Sequence, residues 1–355
     1  MKKILKKFTC MPAGVKASAA FFFASIITSG ISYIVTPIYT RLLTPEVYGQ
    51  TSIFLTWLQI FGIVAMFCLS YGVFNNGMLD YSDKRDEFSF SMLILSNIIT
   101  LIFSLIIIVL YPFAQDIFGM DIILLLLMCV LFMVQPAYNF WTARQRYELK
   151  YKYTVIWTIV SAFISPVLAV ISILIWREHQ LYARLFGAEL PLIAIYIGFY
   201  IYLAKKSHWK VETKYWKAAF LFNLPLIPHY LAGSVLGSSD RIMIQHMDGM
   251  AAAGIYSLAY SVSQVMMMVN EALNKTMSPW LYQKMRTKEY HLMPKVVYPS
   301  LAIVAFANIV LIAIAPELVA VFAPAEYYEA IYVIPPISMS VFFNYMYLCF
   351  APFEF

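Results

Sequence analysis

Apolar residues run along this chain in blocks of about twenty, separated by short polar gaps. Candidate spans cover roughly 17–38, 51–73, 88–110, 121–141, 154–176, 183–203, 218–238, 251–270, 296–315 and 330–352. Each is close to the ~20 residues an α-helix needs to cross the hydrocarbon core of a bilayer. The runs are continuous and lack period-two alternation, which excludes a membrane β-barrel. The pattern predicts an all-α integral membrane protein with about ten transmembrane helices.

The basic residues orient these spans. The N-terminus through Lys16 and every second gap after it hold 21 of the 25 Lys and Arg. Lys84 and Arg85 lie in the gap 74–87, and Arg144, Arg146, Lys150 and Lys152 in 142–153. Lys205, Lys206, Lys210, Lys214 and Lys217 cluster around 204–217, and Lys275, Lys284, Arg286, Lys288 and Lys295 around 271–295. The opposite gaps are short and lean acidic, with only Arg41, Arg177, Arg184 and Arg241 as exceptions. Cytoplasmic loops carry the Lys/Arg excess, so both termini are expected in the cytoplasm.

Composition agrees. The chain has 355 residues, of which 62% are hydrophobic and 12% charged, against about 25% charged in a soluble domain. The net charge of +6 reflects topology and contact with anionic inner-leaflet lipid, not nucleic acid. The opening MKKILKKF resembles a signal-peptide n-region, but the long span behind it lacks a small-x-small cleavage site and reads as an uncleaved first helix. Cys10, Cys68, Cys129 and Cys349 lie in or beside apolar segments without metal spacing and are expected reduced and buried.

No gap exceeds about 25 residues, so no extramembrane domain is expected. The basic gap 204–217 reads as a linker between an N-terminal six-helix lobe, 1–203, and a C-terminal lobe of about four helices, 218–355. Transporters are often built from two related halves. On that basis the second lobe lacks two spans, and the stop at Ala351-Pro352-Phe353-Glu354-Phe355, without a basic tail, suggests C-terminal truncation. Placing Gly49 on Gly254 also matches Ser29 with Ser234 and Ser52 with Ser257, a weak trace of an internal repeat. Pro37, Pro136, Pro166, Pro191, Pro225, Pro228, Pro335 and Pro336 fall in or beside spans, where membrane helices tolerate kinks.

Ionisable groups within spans are costly and are functional candidates by default. Asp240 and Arg241 end span seven; a guanidinium fork suits a phosphate or pyrophosphate, and an interfacial pair reaching water is the alternative. Glu271 and Lys275 stand four apart in the favourable order, beside Asn270 and Asn274, at the end of span eight; they are either a helix-end ion pair or a gate. Glu189, five residues after Arg184, is a carboxyl whose protonation could couple transport to a proton gradient, or a structural partner of an Arg. His229, in Pro225-Leu-Ile-Pro228-His229, is a packing or cavity residue. Between spans one and two, Thr44 suits an N-cap, Pro45 the first helical position and Glu46 the positive end of the dipole. That leaves Arg41 as a cavity cation. The Tyr and Trp suit interfacial belts, and aromatic faces also stack on sugars. No nucleotide-binding loop, metal-ligand cluster or nucleophile elbow is present, so no cofactor is expected, and an ATP-driven pump on this chain is disfavoured.

Four passages carry a resemblance. They are Pro37-Ile-Tyr-Thr-Arg41-Leu-Leu-Thr-Pro45-Glu-Val-Tyr48-Gly49; Ala143-Arg144-Gln-Arg146-Tyr-Glu-Leu-Lys150-Tyr-Lys152; Leu224-Pro225-Leu-Ile-Pro228-His229 continuing to Ser239-Asp240-Arg241; and Gly254-Ile-Tyr256-Ser-Leu-Ala-Tyr260 continuing to Asn274-Lys-Thr-Met-Ser-Pro279-Trp280. In this order and spacing the chain resembles bacterial polysaccharide-export flippases of the multidrug/oligosaccharidyl-lipid/polysaccharide superfamily. The resemblance implies two lobes with alternating access around a basic, polar cavity in the bacterial inner membrane. The implied cargo is an undecaprenyl-pyrophosphate-linked oligosaccharide for O-antigen (lipopolysaccharide) or capsule, and the implied partners are a polysaccharide polymerase and a chain-length regulator. Family members usually have twelve or more helices, in line with a truncated chain. Arg41 and Arg241 match its motif positions. A cation-coupled drug antiporter of the same superfamily and a lipid II flippase are alternatives within transport. A membrane polymerase or glycosyltransferase is the alternative from another class, disfavoured by the short outer gaps.

Overall fold

The computed structural model describes residues 13–351. Among these residues every regular element is helical: α1 (Ala13–Leu42), α2 (Pro45–Ala65), α3 (Gly72–Asp80), α4 (Arg85–Phe118), α5 (Ile122–Tyr147), α6 (Tyr151–Ile175), α7 (Gln180–Lys206), α8 (Lys214–Asn223), α9 (Ile227–Arg286), α10 (Pro294–Ala313), α11 (Ala315–Phe322) and α12 (Ala330–Phe350). Nine segments of the described chain are long and apolar enough to cross a membrane. One of them, Lys214–Arg286, is broken at Gly249, with φ 89° and ψ −179°, a backbone region open essentially only to glycine. The eight intact segments and the two halves of the ninth give the ten spans that hydropathy predicts. The protein is a multi-pass membrane protein. The N-terminal basic segment, Cys10 and the last four residues lie outside the described residues.

Close packing divides the chain into two compact units. The first holds Gln50–Met247 with the chain before Tyr39; the second holds Tyr39–Gly49 with the chain from Asp248 onward. In the first, α6 packs on α7, α7 on α5 and α5 on α4. One apolar core gathers Phe74, Phe88, Phe90, Phe140 and Tyr215; another gathers Phe54, Leu125, Met128, Phe132 and Leu185. In the second, α10 packs on α12 around Leu258, Val262, Val304, Tyr327, Ile334 and Tyr345. Cys68, Cys129 and Cys349 are free and buried.

Two elements depart from the hydropathy pattern. The predicted span 51–73 is not one helix. It ends at Ala65, turns through Phe67 (φ 55°) and Cys68 (φ 47°), and restarts as α3. The reason is distant in sequence. Three side chains bind the carbonyls freed at the break: Thr100 Oγ1 donates to Ala65 at 2.9 Å, Ser96 Oγ to Met66 at 3.3 Å and Asn223 Nδ2 to Phe67 at 2.8 Å. Non-helical backbone at membrane depth persists where protein groups satisfy it in this way. In the second departure, the helix expected to end near residue 270 continues to Arg286, so Glu271 and Lys275 sit within it rather than at its end.

Candidate functional site

Arg41, at the end of α1, extends its Nη2 to the Val321 carbonyl at 2.8 Å, while Thr40 Oγ1 donates to the Phe322 carbonyl at 2.5 Å. Both carbonyls belong to the last turn of α11, whose C-terminal oxygens have no partner within the helix. A cation is favoured there by the helix dipole as well. Beyond α11, the buried Tyr327 donates its hydroxyl to the Leu43 carbonyl at 3.0 Å, and its ring meets Tyr48 edge-on at 6.0 Å. Thr44 caps α2 as the sequence predicts, accepting the Val47 N–H at 3.4 Å, with Pro45 first in the helix. The turn between α1 and α2 is thus fastened at both sides, and Arg41 is part of the fastening.

The same turn meets α9 without intervening side chains. A Cβ built on Gly49 would lie 1.9 Å from the Met250 carbonyl oxygen and 2.9 Å from the Gly254 nitrogen. One built on Gly254 would lie 2.0 Å from the Pro45 carbonyl oxygen and 3.0 Å from the Gly49 nitrogen. Gly49 and Pro45 are four apart, and so are Gly254 and Met250. Each glycine therefore meets its counterpart and the carbonyl one turn before it. The contact is thus reciprocal, and it joins the two glycines that the sequence's weak repeat places in register.

The remaining candidates are distributed rather than assembled. Asp240 Oδ1 accepts the backbone N–H of Arg241 at 2.9 Å, so it serves the local backbone. His229 is exposed in the first turn of α9, its ring 5.8 Å from that of Tyr230. Glu189 is buried in α7 and feels the positive charge of Arg184. Glu271 and Lys275 pair at 3.0 Å, both well exposed, as expected for i,i+4 neighbours. Of their two asparagines, Asn270 donates to the Val341 carbonyl at 2.9 Å and Asn274 accepts from Ser278 at 2.6 Å.

Charge is concentrated where the Lys/Arg-rich gaps meet in the first unit. Arg144, at the end of α5, pairs with Asp86 at the start of α4 and with Glu148 at 2.9 Å. Lys150 reaches Glu148 at 2.6 Å, Lys206 reaches Asp86 at 3.7 Å, and Lys210 reaches Glu87 at 3.5 Å. Burial pushes the Glu148 carboxyl up, but hydrogen bonds from Lys150 and Arg144 outweigh it and hold it below its ordinary value. The segment before α8 is tied to α4 by Ser91, whose hydroxyl accepts the Glu212 N–H at 2.9 Å and whose carbonyl accepts Trp216 Nε1 at 3.0 Å. Among the described residues, no group of three or more His, Cys, Asp or Glu is placed to hold a metal ion.

Sequence reasoning missed Thr40, Tyr327, Ser96, Thr100 and Asn223. Each is a polar side chain in or beside an apolar run, which is the signal that could have found them. Their partners are main-chain atoms, which leave no trace in composition.

Three comparisons bear on this arrangement. A family model described as "Polysaccharide biosynthesis protein" matches residues 15–285. Protein 1 of the Lsg locus of Haemophilus influenzae is 28% identical over 102 residues, 28% of this chain and 25% of the relative; the chain aligns with about a quarter of that protein's length. Among solved structures, the inward-facing conformation of a multidrug resistance MATE family transporter of the MOP superfamily superimposes with a TM-score of 0.59 at 13% identity. That match covers 92% of this chain and 81% of the other. The fold is MATE-like.

Proposed function

The chain belongs to the polysaccharide biosynthesis protein family, and on that premise we propose that it moves an undecaprenyl-pyrophosphate-linked oligosaccharide, an O-antigen or capsule repeat, from the cytoplasmic to the outer leaflet of the bacterial inner membrane. The observation that carries this reading is the conjunction of a polysaccharide family with a MATE-like fold. The gaps within this sequence are short, which favours carriage of a finished glycan over its synthesis. The Lys/Arg excess in alternate gaps supports cytoplasmic termini.

In this proposal the chain works by alternating access, with 1–203 and 218–355 as its lobes and 204–217 as the linker. Arg41 and Arg241 are each proposed as anion-binding residues, and Asp240, His229, Glu271 and Lys275 as polar residues that face the cargo. Glu189 is the coupling carboxyl: buried and beside a basic residue, it is the kind of intramembrane acid that proton relays use. A polysaccharide polymerase and a chain-length regulator are the proposed partners, acting on the glycan after it crosses.

Deletion of the gene, read by lectin binding at the cell surface and by accumulation of lipid-linked oligosaccharide inside, tests the proposal. Loss of surface glycan with inner-leaflet accumulation, reversed by the intact gene, is expected. Unchanged surface glycan together with raised drug sensitivity would replace this reading with a drug antiporter.

A further inference from the structure

The break in the second span does more than bend it. It brings Tyr71 to the head of α3 with 52% of its surface open. There the Tyr71 ring meets Tyr230 of α9 edge-on, centroids 5.4 Å apart at 89°. Tyr230 in turn meets the exposed His229 at 5.8 Å. One turn along α3, Asn75 donates its backbone N–H to the Tyr71 carbonyl at 3.3 Å, and the side chains of Asn75 and Asn76 are both exposed. Behind this surface, Phe67 stacks on Phe220 at 4.8 Å and 5°, and Phe74 is fully buried against Phe88 and Phe140. On α3 the open groups are thus flanked by packed aromatic rings.

The mixture is chemically specific. Hydrocarbon-facing surfaces exclude exposed carboxamides, because each would lose its hydrogen bonds to water. A phosphate site would gather Lys or Arg, and neither occurs among these five residues. Aromatic rings beside amide and imidazole groups suit a ligand with apolar C–H faces and a fringe of hydroxyls. A pyranose ring has that anatomy.

We propose that Tyr71, Tyr230 and His229, with Asn75 and Asn76, form a sugar-docking face: the tyrosines stack on the C–H face of a sugar, and the amides and imidazole bind its hydroxyls. This rests on the glycan reading above and adds to it residues for the sugar, other than the cationic residues assigned to the pyrophosphate. Tyr71, with about half its surface open, is the ring a sugar would stack on first.

The test uses the full chain in lipid nanodiscs and saturation-transfer NMR with soluble sugars: maltose, N,N′-diacetylchitobiose and methyl β-galactoside at millimolar concentration. Irradiation of protein aromatic protons is expected to transfer to ring C–H protons of at least one sugar. Tyr71→Ala and Tyr230→Ala are expected to weaken that binding about five- to tenfold, a loss of roughly 1–1.4 kcal/mol, whereas Tyr71→Phe keeps it. Asn75→Leu, at an exposed position with little bearing on folding, is expected to weaken it as well. Absence of transfer to all three sugars would overturn the proposal, as would equal transfer to the wild type, both alanine variants and Asn75→Leu. These outcomes are independent of the gene deletion, so sugar contact and transport fail separately.

Discussion

Gly49 and Gly254 touch each other through bare backbone, each with the other's preceding turn against its missing side chain. Adding a methyl to either collides with a main-chain carbonyl near 2 Å, and a carbonyl within a helix cannot rotate away as a side chain could. Gly49→Ala and Gly254→Ala are therefore each expected to destabilise the protein by about 1–3 kcal/mol, by similar amounts because the contact is reciprocal. Thermal unfolding in detergent, followed by labelling of the buried cysteines, checks this. A neutral effect at one glycine with a large one at the other would refute the reciprocal contact.

Arg41 is expected to matter twice. Arg41→Ala removes a bond to the end of α11 and should cost about 1 kcal/mol or more of stability, with reduced surface glycan. Arg41→Lys keeps the charge but loses the planar fork. If the role is fastening α11, Lys should recover most of the stability; if it is bidentate pyrophosphate contact, Lys should remain defective in glycan display at normal stability. Arg241→Ala is expected to lower surface glycan at normal membrane abundance. Normal glycan with both arginines replaced by alanine would refute the anion assignment.

Glu148 sets an acid limit on the network at the end of α5. Its carboxyl is held below its ordinary value, so the folded state binds this proton less readily than the unfolded chain. The stabilisation is present above the unfolded carboxylate range and is lost as pH falls through the lower, folded value. Glu148→Gln should flatten the acid limb of a stability-against-pH curve while leaving neutral stability lower. An unchanged acid limb would remove Glu148 from the explanation.

The break at Phe67 depends on hydrogen bonds from outside its own helix. Thr100→Val and Asn223→Leu each leave a buried carbonyl without its donor, which costs about 1–3 kcal/mol. Hydrogen–deuterium exchange should show the change concentrated at residues 63–72. Uniform exchange across α2 in both variants would show that the turn holds itself.

Much of this was legible beforehand, and the reasons are local. Twenty apolar residues in a row demand a helix, and basic gaps demand an end; Thr44 and Pro45 fixed where α2 begins because capping is a matter of adjacent residues. The break after Ala65 was invisible because Met66-Phe67-Cys68-Leu69 contains neither Gly nor Pro, and its cause lies in Thr100 and Asn223. The Gly49–Gly254 register was visible only as three coincident identities. In the structure the two glycines of that register lie against each other. Arg41 stands out in the sequence as one of four basic residues in the acidic-leaning gaps, yet its bond to Val321 is a relation between residues 280 positions apart, beyond any spacing rule.

Where two helix backbones touch with no side chain between them, neither helix can slide or turn by one residue without driving a side chain into main chain. Gly49 and Gly254 therefore act as a locating pin, fixing which turn at the start of α2 meets which turn of α9.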